Sequence, residues 1–179
     1  MYRSLSILGR ATWALHASGL DFAVNYEHEI GSLGTFDIGA SGSYFLKYDS
    51  ASAPGAPFVD LLGTILNPAD LQMRGYLGWR LGGLDVLASV NRTDGYLNNV
   101  VVPNQQVSSY TTFDLHVGYD LPKVLSFSRL RIALDATNLF DRDPPFVNIG
   151  PSTTTEGGYD GSQASPVGRI LAISLTAKY

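Results

Sequence analysis

At 179 residues, with 16% charged side chains and a formal net charge of −4, the chain is long enough for one domain or a small barrel and has no basic excess to hold nucleic acid. It contains no cysteine, which excludes disulfides, thiolate metal sites and cysteine nucleophiles. No stretch approaches the ~18 consecutive apolar residues of a membrane-spanning helix.

Polarity comes instead from Gly, Ser, Thr, Asn and Tyr, a mixture suited to sheets with alternating faces. In chain order the first such segment sets Leu20, Phe22, Val24 and Tyr26 against Asp21, Ala23, Asn25 and Glu27, a period of two that predicts a strand. A tight turn follows at Gly31–Gly34. The second segment sets Phe36, Ile38, Ala40, Gly42, Tyr44, Leu46 and Tyr48 against Asp37, Gly39, Ser41, Ser43 and Lys47. Leu71, Met73, Gly75, Leu77 and Trp79 alternate with Gln72, Arg74, Tyr76 and Arg80, turning at Gly82-Gly83. Leu84, Val86, Ala88 and Val90 then alternate with Asp85, Leu87, Ser89 and Asn91. Phe113, Leu115, Val117 and Tyr119 oppose Thr112, Asp114, His116 and Gly118, and Leu130, Ile132, Leu134 and Ala136 oppose Arg131, Ala133, Asp135 and Thr137. The last segment sets Leu171, Ile173, Leu175, Ala177 and Tyr179 against Ala172, Ser174, Thr176 and Lys178. A strand between oil and water needs this pattern, and a terminal aromatic fits an interfacial girdle.

The connections alternate in length. Gly31–Gly34 and Gly82-Gly83 are tight and Asp120–Arg129 is moderate, whereas 49–69, 97–108 and 139–167 are long and rich in Gly, Pro, Ser and Asn. Long strands with tight turns on one side and long loops on the other predict an all-β, transmembrane antiparallel meander of outer-membrane type, with the long loops extracellular. A soluble β-sandwich also alternates in and out. Its wet face, however, normally carries more Lys and Glu, and its strands are shorter. A self-contained eight-stranded barrel is the other alternative, with residues 2–8 as an extra, weakly patterned strand.

Between the last two segments lies Asn138-Leu139-Phe140-Asp141-Arg142-Asp143-Pro144-Pro145. Together with the aromatic-terminated last strand, this box resembles the carboxy-terminal end of TonB-dependent outer-membrane receptors. Ser18-Gly-Leu-Asp-Phe22, Tyr44-Phe-Leu-Lys-Tyr48, the strand entry from Asn67-Pro68 to Trp79-Arg-Leu-Gly82, Asn91-Arg-Thr-Asp-Gly-Tyr96 and Tyr110-Thr-Thr-Phe-Asp-Leu115 extend the similarity over roughly residues 11–179. The resemblance implies a 22-stranded barrel filled by an amino-terminal plug. Residues 1–179 would supply its last seven strands and no plug, incomplete alone and with sticky edges. It further implies the cell outer membrane as location and active uptake of a scarce ligand, such as an iron chelate, cobalamin or a carbohydrate. The implied partners are outer-membrane lipid, the earlier strands and plug, TonB acting through that plug, and the assembly machinery that reads the terminal strand (Leu171, Ile173, Leu175 and Tyr179). In the box, Asn138 and Asp141 suit hydrogen bonds to nearby backbone where a strand leaves the sheet, and Pro144-Pro145 bars further pairing.

No enzymatic signature and no cofactor requirement emerges. Gly39-Ala-Ser-Gly-Ser43 lacks the final glycine of a nucleophile elbow and lies mid-strand. His16, His28 and His116 have no metal-ligand spacing. Asp141, Asp143, Glu156 and Asp160 share the last long loop, where a solvated acidic loop competes with a calcium site. Arg142, Phe146 and Tyr159 are the candidate ligand contacts, chosen for their position in that loop.

Overall fold

The computed structural model describes residues 14–124, 127–148 and 157–178. Tyr2–Leu8, Glu156 and Tyr179 lie outside the described residues. The strands are β1 (Ala14–Glu29), β2 (Thr35–Ala51), β3 (Val59–Asp60), β4 (Leu71–Leu81), β5 (Leu84–Thr93), β6 (Tyr96–Asn98), β7 (Gln105–Val107), β8 (Tyr110–Val124), β9 (Phe127–Thr137) and β10 (Ile170–Lys178). A 3₁₀ turn at Gly31–Leu33 is the one helical element among the described residues. The fold is all-β.

Seven long strands form one antiparallel sheet in the order β1-β2-β4-β5-β8-β9-β10, and β3 pairs with β2. These are the seven alternating segments of the sequence, joined as a meander. Among the described residues the outer edges of β1 and β10 carry no strand. Strand direction reverses at each pairing, so β1 and β10 run the same way.

The register aligns the alternation of every strand with that of its neighbours, because a slip of one residue would turn a strand's whole apolar set to the other face. Tyr26, Ile38, Leu77, Ala88, Leu115, Ala136 and Leu171 lie in one cross-strand row. Asn25, Gly39, Tyr76, Ser89 and Asp114 form a row on the opposite face. The apolar face is open: Val24 is 64% exposed, Leu171 62%, Leu175 68% and Ile173 80%. A β-sandwich would cover such a face with a second sheet. The described residues include only the small β6–β7 hairpin as a second sheet. No Asp, Glu, Lys or Arg occupies this face between Leu20 and His28, Phe36 and Tyr44, Leu71 and Leu81, Leu84 and Val90, Phe113 and Leu121, Leu130 and Ala136, or Leu171 and Ala177.

Three details differ from the sequence reading. First, a bulge interrupts β2. Ser18 pairs with Lys47 but Gly19 pairs with Phe45, so Leu46 is the extra residue and the alternation reverses beyond it. Lys47 therefore joins the apolar face, ion-paired to Asp49 at 2.8 Å, and Tyr48 turns to the polar one. Hydrophobic alternation alone hides a bulge because both parities here carry aromatic residues. Second, Asp120–Val124 and Phe127–Arg129 are strand rather than part of a moderate loop. β8 continues until Val124 pairs with Phe127. Pro122 is tolerated because it pairs with Arg129 on one side only, beyond the end of β5 at Leu84↔Tyr119. Third, the loop at 97–108 contains a hairpin, with Tyr96 opposite Val107 and Asn98 opposite Gln105.

Candidate functional site

The three long loops leave the same end of the sheet and knit into one cap. Its centre is apolar: Ile65, Tyr96, Val107 and Val147 are buried together. Thr64 and Leu97 form a parallel bridge, flanked by Ile65 N–H donating to the Leu97 carbonyl at 3.0 Å and Leu97 N–H donating to that of Gly63 at 2.8 Å. Fully buried Asn98 donates its amide to the Asn148 carbonyl at 2.8 Å. Gln105 accepts from Asn148 N–H at 2.9 Å.

Asp160 joins the third loop to the first two. It is 1% exposed. Its carboxylate accepts from Leu66 N–H at 2.9 Å, from Ser162 N–H at 2.9 Å and from the Ser162 hydroxyl at 2.6 Å. The Tyr96 hydroxyl bonds to the same carboxylate, and burial first, then that negative charge, push the Tyr96 phenol well above its ordinary value. Nearby, the Gln163 amide donates to the Asn67 carbonyl at 2.5 Å. These loops are therefore a built cap, joined through backbone and side-chain hydrogen bonds. Sequence reasoning placed Asp160 only in an acidic loop. The local signal was its Asx turn onto Ser162, but the contact with Leu66, 94 residues away, leaves no mark in sequence.

The Asn138–Asp141 box pins the start of the third loop. Asn138 sits at φ 50° and Asp141 at φ 55°, left-handed backbone that Asn and Asp adopt more readily than most residues. The buried Asn138 side chain accepts from Arg142 N–H at 2.9 Å and donates to the Arg142 carbonyl at 3.0 Å. Asp141 accepts from Arg169 N–H at 2.7 Å, so the box that follows β9 also fixes the start of β10. Leu139 N–H donates to the Phe113 carbonyl at 2.7 Å. Phe140 lies edge-on to Phe113 with ring centroids 5.3 Å apart, and Pro144 follows half-buried. Asn138→Ala should cost about 2–3 kcal/mol, from two lost hydrogen bonds at about 1 kcal/mol each and left-handed strain of about 1 kcal/mol. Denaturant titration of wild type and variant checks this, and Asn138→Gly should recover the strain component.

Below the cap, the polar face carries connected charge networks. Arg74 donates to Asn91 Oδ1 at 2.9 Å and to the Ser89 hydroxyl at 2.8 Å, and lies 3.6 Å from Asp114. Toward the tight turns, Arg131 bridges Asp85 at 2.7 Å and Asp120 at 3.1 Å. His116 lies between Asp135 at 2.6 Å and Asp85 at 3.1 Å. Gly118 makes room for this cluster: a Cβ there would sit 2.7 Å from Asp85 Oδ1.

Of the three candidate ligand contacts, Tyr159 lines a cleft of about 520 Å³ between the third loop and the polar face, together with Asn91, Thr93, Tyr110, Thr112 and Gln163. Phe146 is 70% exposed on the cap, where a Cβ on Gly158 would lie 3.1 Å from its ring. Arg142 is exposed, and its backbone is held by Asn138. The structure thus does not gather these three around one cavity. Nor do the loop acids converge: Asp141 serves Arg169 and Asp160 serves Leu66. Comparison with family models, curated proteins and solved structures finds no match to this chain.

Proposed function

We propose that the chain is wall and mouth of an outer-membrane β-barrel, the carboxy-terminal part of a TonB-dependent receptor that takes up a scarce ligand. The observation that carries the membrane assignment is the uncovered apolar face. It is continuous across seven registered strands, free of formal charge through its middle with Lys47, Asp49 and Arg92 only toward the long-loop end, and opposed by a polar, ion-paired face. Lipid covers such a face at no cost in charge burial, whereas water would meet an apolar sheet far larger than soluble surfaces tolerate. On this reading the polar face is the lumen, the knitted loops are the extracellular mouth, and the tight turns are periplasmic. The two open edges support a larger barrel. The seven long strands of the described residues, with both edge strands running the same way, cannot close on themselves antiparallel, nor can two copies set in the same orientation. An odd number of further strands completes the ring.

The receptor assignment rests on the likeness of the Asn138–Pro145 box and the last strand to that family. Transport itself belongs to the assembled receptor, with plug and TonB as partners. Flotation tests the membrane reading: chain refolded in the presence of lipid should rise with vesicles and resist extraction at alkaline pH. A chain that stays soluble and monomeric without detergent contradicts it. An in-frame coding sequence for a plug upstream of Met1 in the native locus would support the receptor, and a stop codon there would oppose it.

A further inference from the structure

We infer that the cleft where β5 and β8 meet the third loop binds a neutral, polyhydroxylated ligand, a short oligosaccharide. This rests on the reading of the polar face as the lumen. The floor is two cross-strand pairs on that face, Asn91 with Thr112 and Thr93 with Tyr110, and the wall is Tyr159 and Gln163 from the loop. At about 520 Å³ it lies within the ~300–1,000 Å³ usual for small-ligand sites.

Its chemistry selects the class. The polar lining side chains are amides, alcohols and phenols, with no Asp, Glu, Lys, Arg or His among them. The charges around it come in opposed pairs: Arg74 and Asp114 face each other at 3.6 Å and both bond the Asn91 amide, and Arg142 and Asp143 act on Tyr110 in opposite directions. An anionic chelate or acidic sugar would find no cation in the lining to replace its hydration. The Thr93 and Tyr159 hydroxyls have no hydrogen-bond partner among the described residues. A hydroxyl both donates and accepts, as the hydroxyls of a sugar do. Tyr110 and Tyr159 add flat apolar surface against which the C–H face of a pyranose stacks.

The frame is rigid before any ligand arrives. The Tyr110 hydroxyl is tied to the Arg142 and Ser165 carbonyls at 3.2 and 3.3 Å. Gln163 is held between the Asn67 carbonyl and Gln72 Nε2 at 2.5 and 3.1 Å. Preorganised walls reduce the ordering cost of binding. Gly157 leaves space for the Tyr159 ring, since a Cβ there would approach it to 2.8 Å.

The test is calorimetry on the full chain folded in detergent micelles, with maltotriose, cellotriose and xylotriose as neutral probes. Trigalacturonate serves as the anionic probe of equal length and ferric citrate as an iron chelate. At least one neutral sugar should bind saturably and more tightly than either anion. Tyr159→Ala should weaken that binding tenfold or more and Thr93→Val several-fold, with the far-UV spectrum unchanged. Thr93→Val gives the answer if Tyr159→Ala disturbs the loop. Failure of all three neutral sugars, tighter binding of an anion, or wild-type affinity in both variants overturns the inference. Vesicle flotation of the same preparation reports the membrane reading separately: insertion without neutral-sugar binding rejects the ligand class alone, and failure to insert rejects the lumen assignment beneath it.

Discussion

Ile173→Arg should destabilise the lipid-embedded chain by about 2–4 kcal/mol, the cost of an arginine near the middle of a barrel's lipid face. Ser174→Arg, one residue on, should cost less than about 1 kcal/mol. The two positions form a controlled pair. Both lie near the middle of β10, and both are exposed. They face opposite sides of the sheet. Ile173 is 80% exposed, so in a water-soluble sheet its replacement by arginine would fall within the ~0.5 kcal/mol typical of surface substitutions and would improve solubility. Only lipid on one face makes the neighbours differ. Urea titration of both variants in vesicles measures the difference, and equal stabilities would remove the basis for an inner and an outer face.

Asp160→Ala should detach the third loop from the cap. The substitution leaves the buried Tyr96 hydroxyl and Leu66 N–H without their acceptor. At about 1–3 kcal/mol for each orphaned group, the local cost is about 2–6 kcal/mol. Residues 61–70 and 157–166 should exchange amide hydrogens faster by orders of magnitude, while the β4–β5 and β8–β9 ladders keep wild-type protection. Alkali should act from the other side of the same bond. Because the folded-state pKa of Tyr96 is raised, its contribution is fully present below the ordinary tyrosine value of 10.0. It is lost as pH rises above that value, where only the unfolded phenol ionises readily. Tyr96→Phe should flatten that alkaline decline. A cap whose exchange is indifferent to Asp160→Ala would not be held together as described.

The sheet was legible in sequence because its physics is local and repeated. Each strand's period-two pattern also fixes its register, as the row from Tyr26 to Leu171 illustrates. What escaped lay where alternation is ambiguous or where contacts are distant. The β2 bulge hides because Phe45, Leu46 and Tyr48 are apolar on either parity. Pro122 and the polar residues around it suggested a loop, yet the β8–β9 hairpin runs through them because a proline at a strand's unpaired side forfeits no ladder bond. The Asn138–Asp141 box could be read because its bonds join near neighbours. The cap could not: Asp160 meets Leu66, and Asn98 meets Asn148 across 50 residues. Loop position alone points to Arg142, Phe146 and Tyr159, and the fold places only Tyr159 in the cleft. The uncharged partners Thr93 and Asn91 carry no motif that would have marked them.

The lipid-facing assignment can be measured directly because the chain has no cysteine to remove before spin labelling. Single cysteines at each position from Leu20 to Glu27 on β1, labelled in vesicles, would report oxygen and water-soluble paramagnet accessibility residue by residue. At Leu20, Phe22, Val24 and Tyr26 oxygen should dominate, with the aqueous reagent favoured at Asp21, Ala23, Asn25 and Glu27. Uniform aqueous accessibility along the strand, or an alternation of the opposite phase, would contradict a membrane wall.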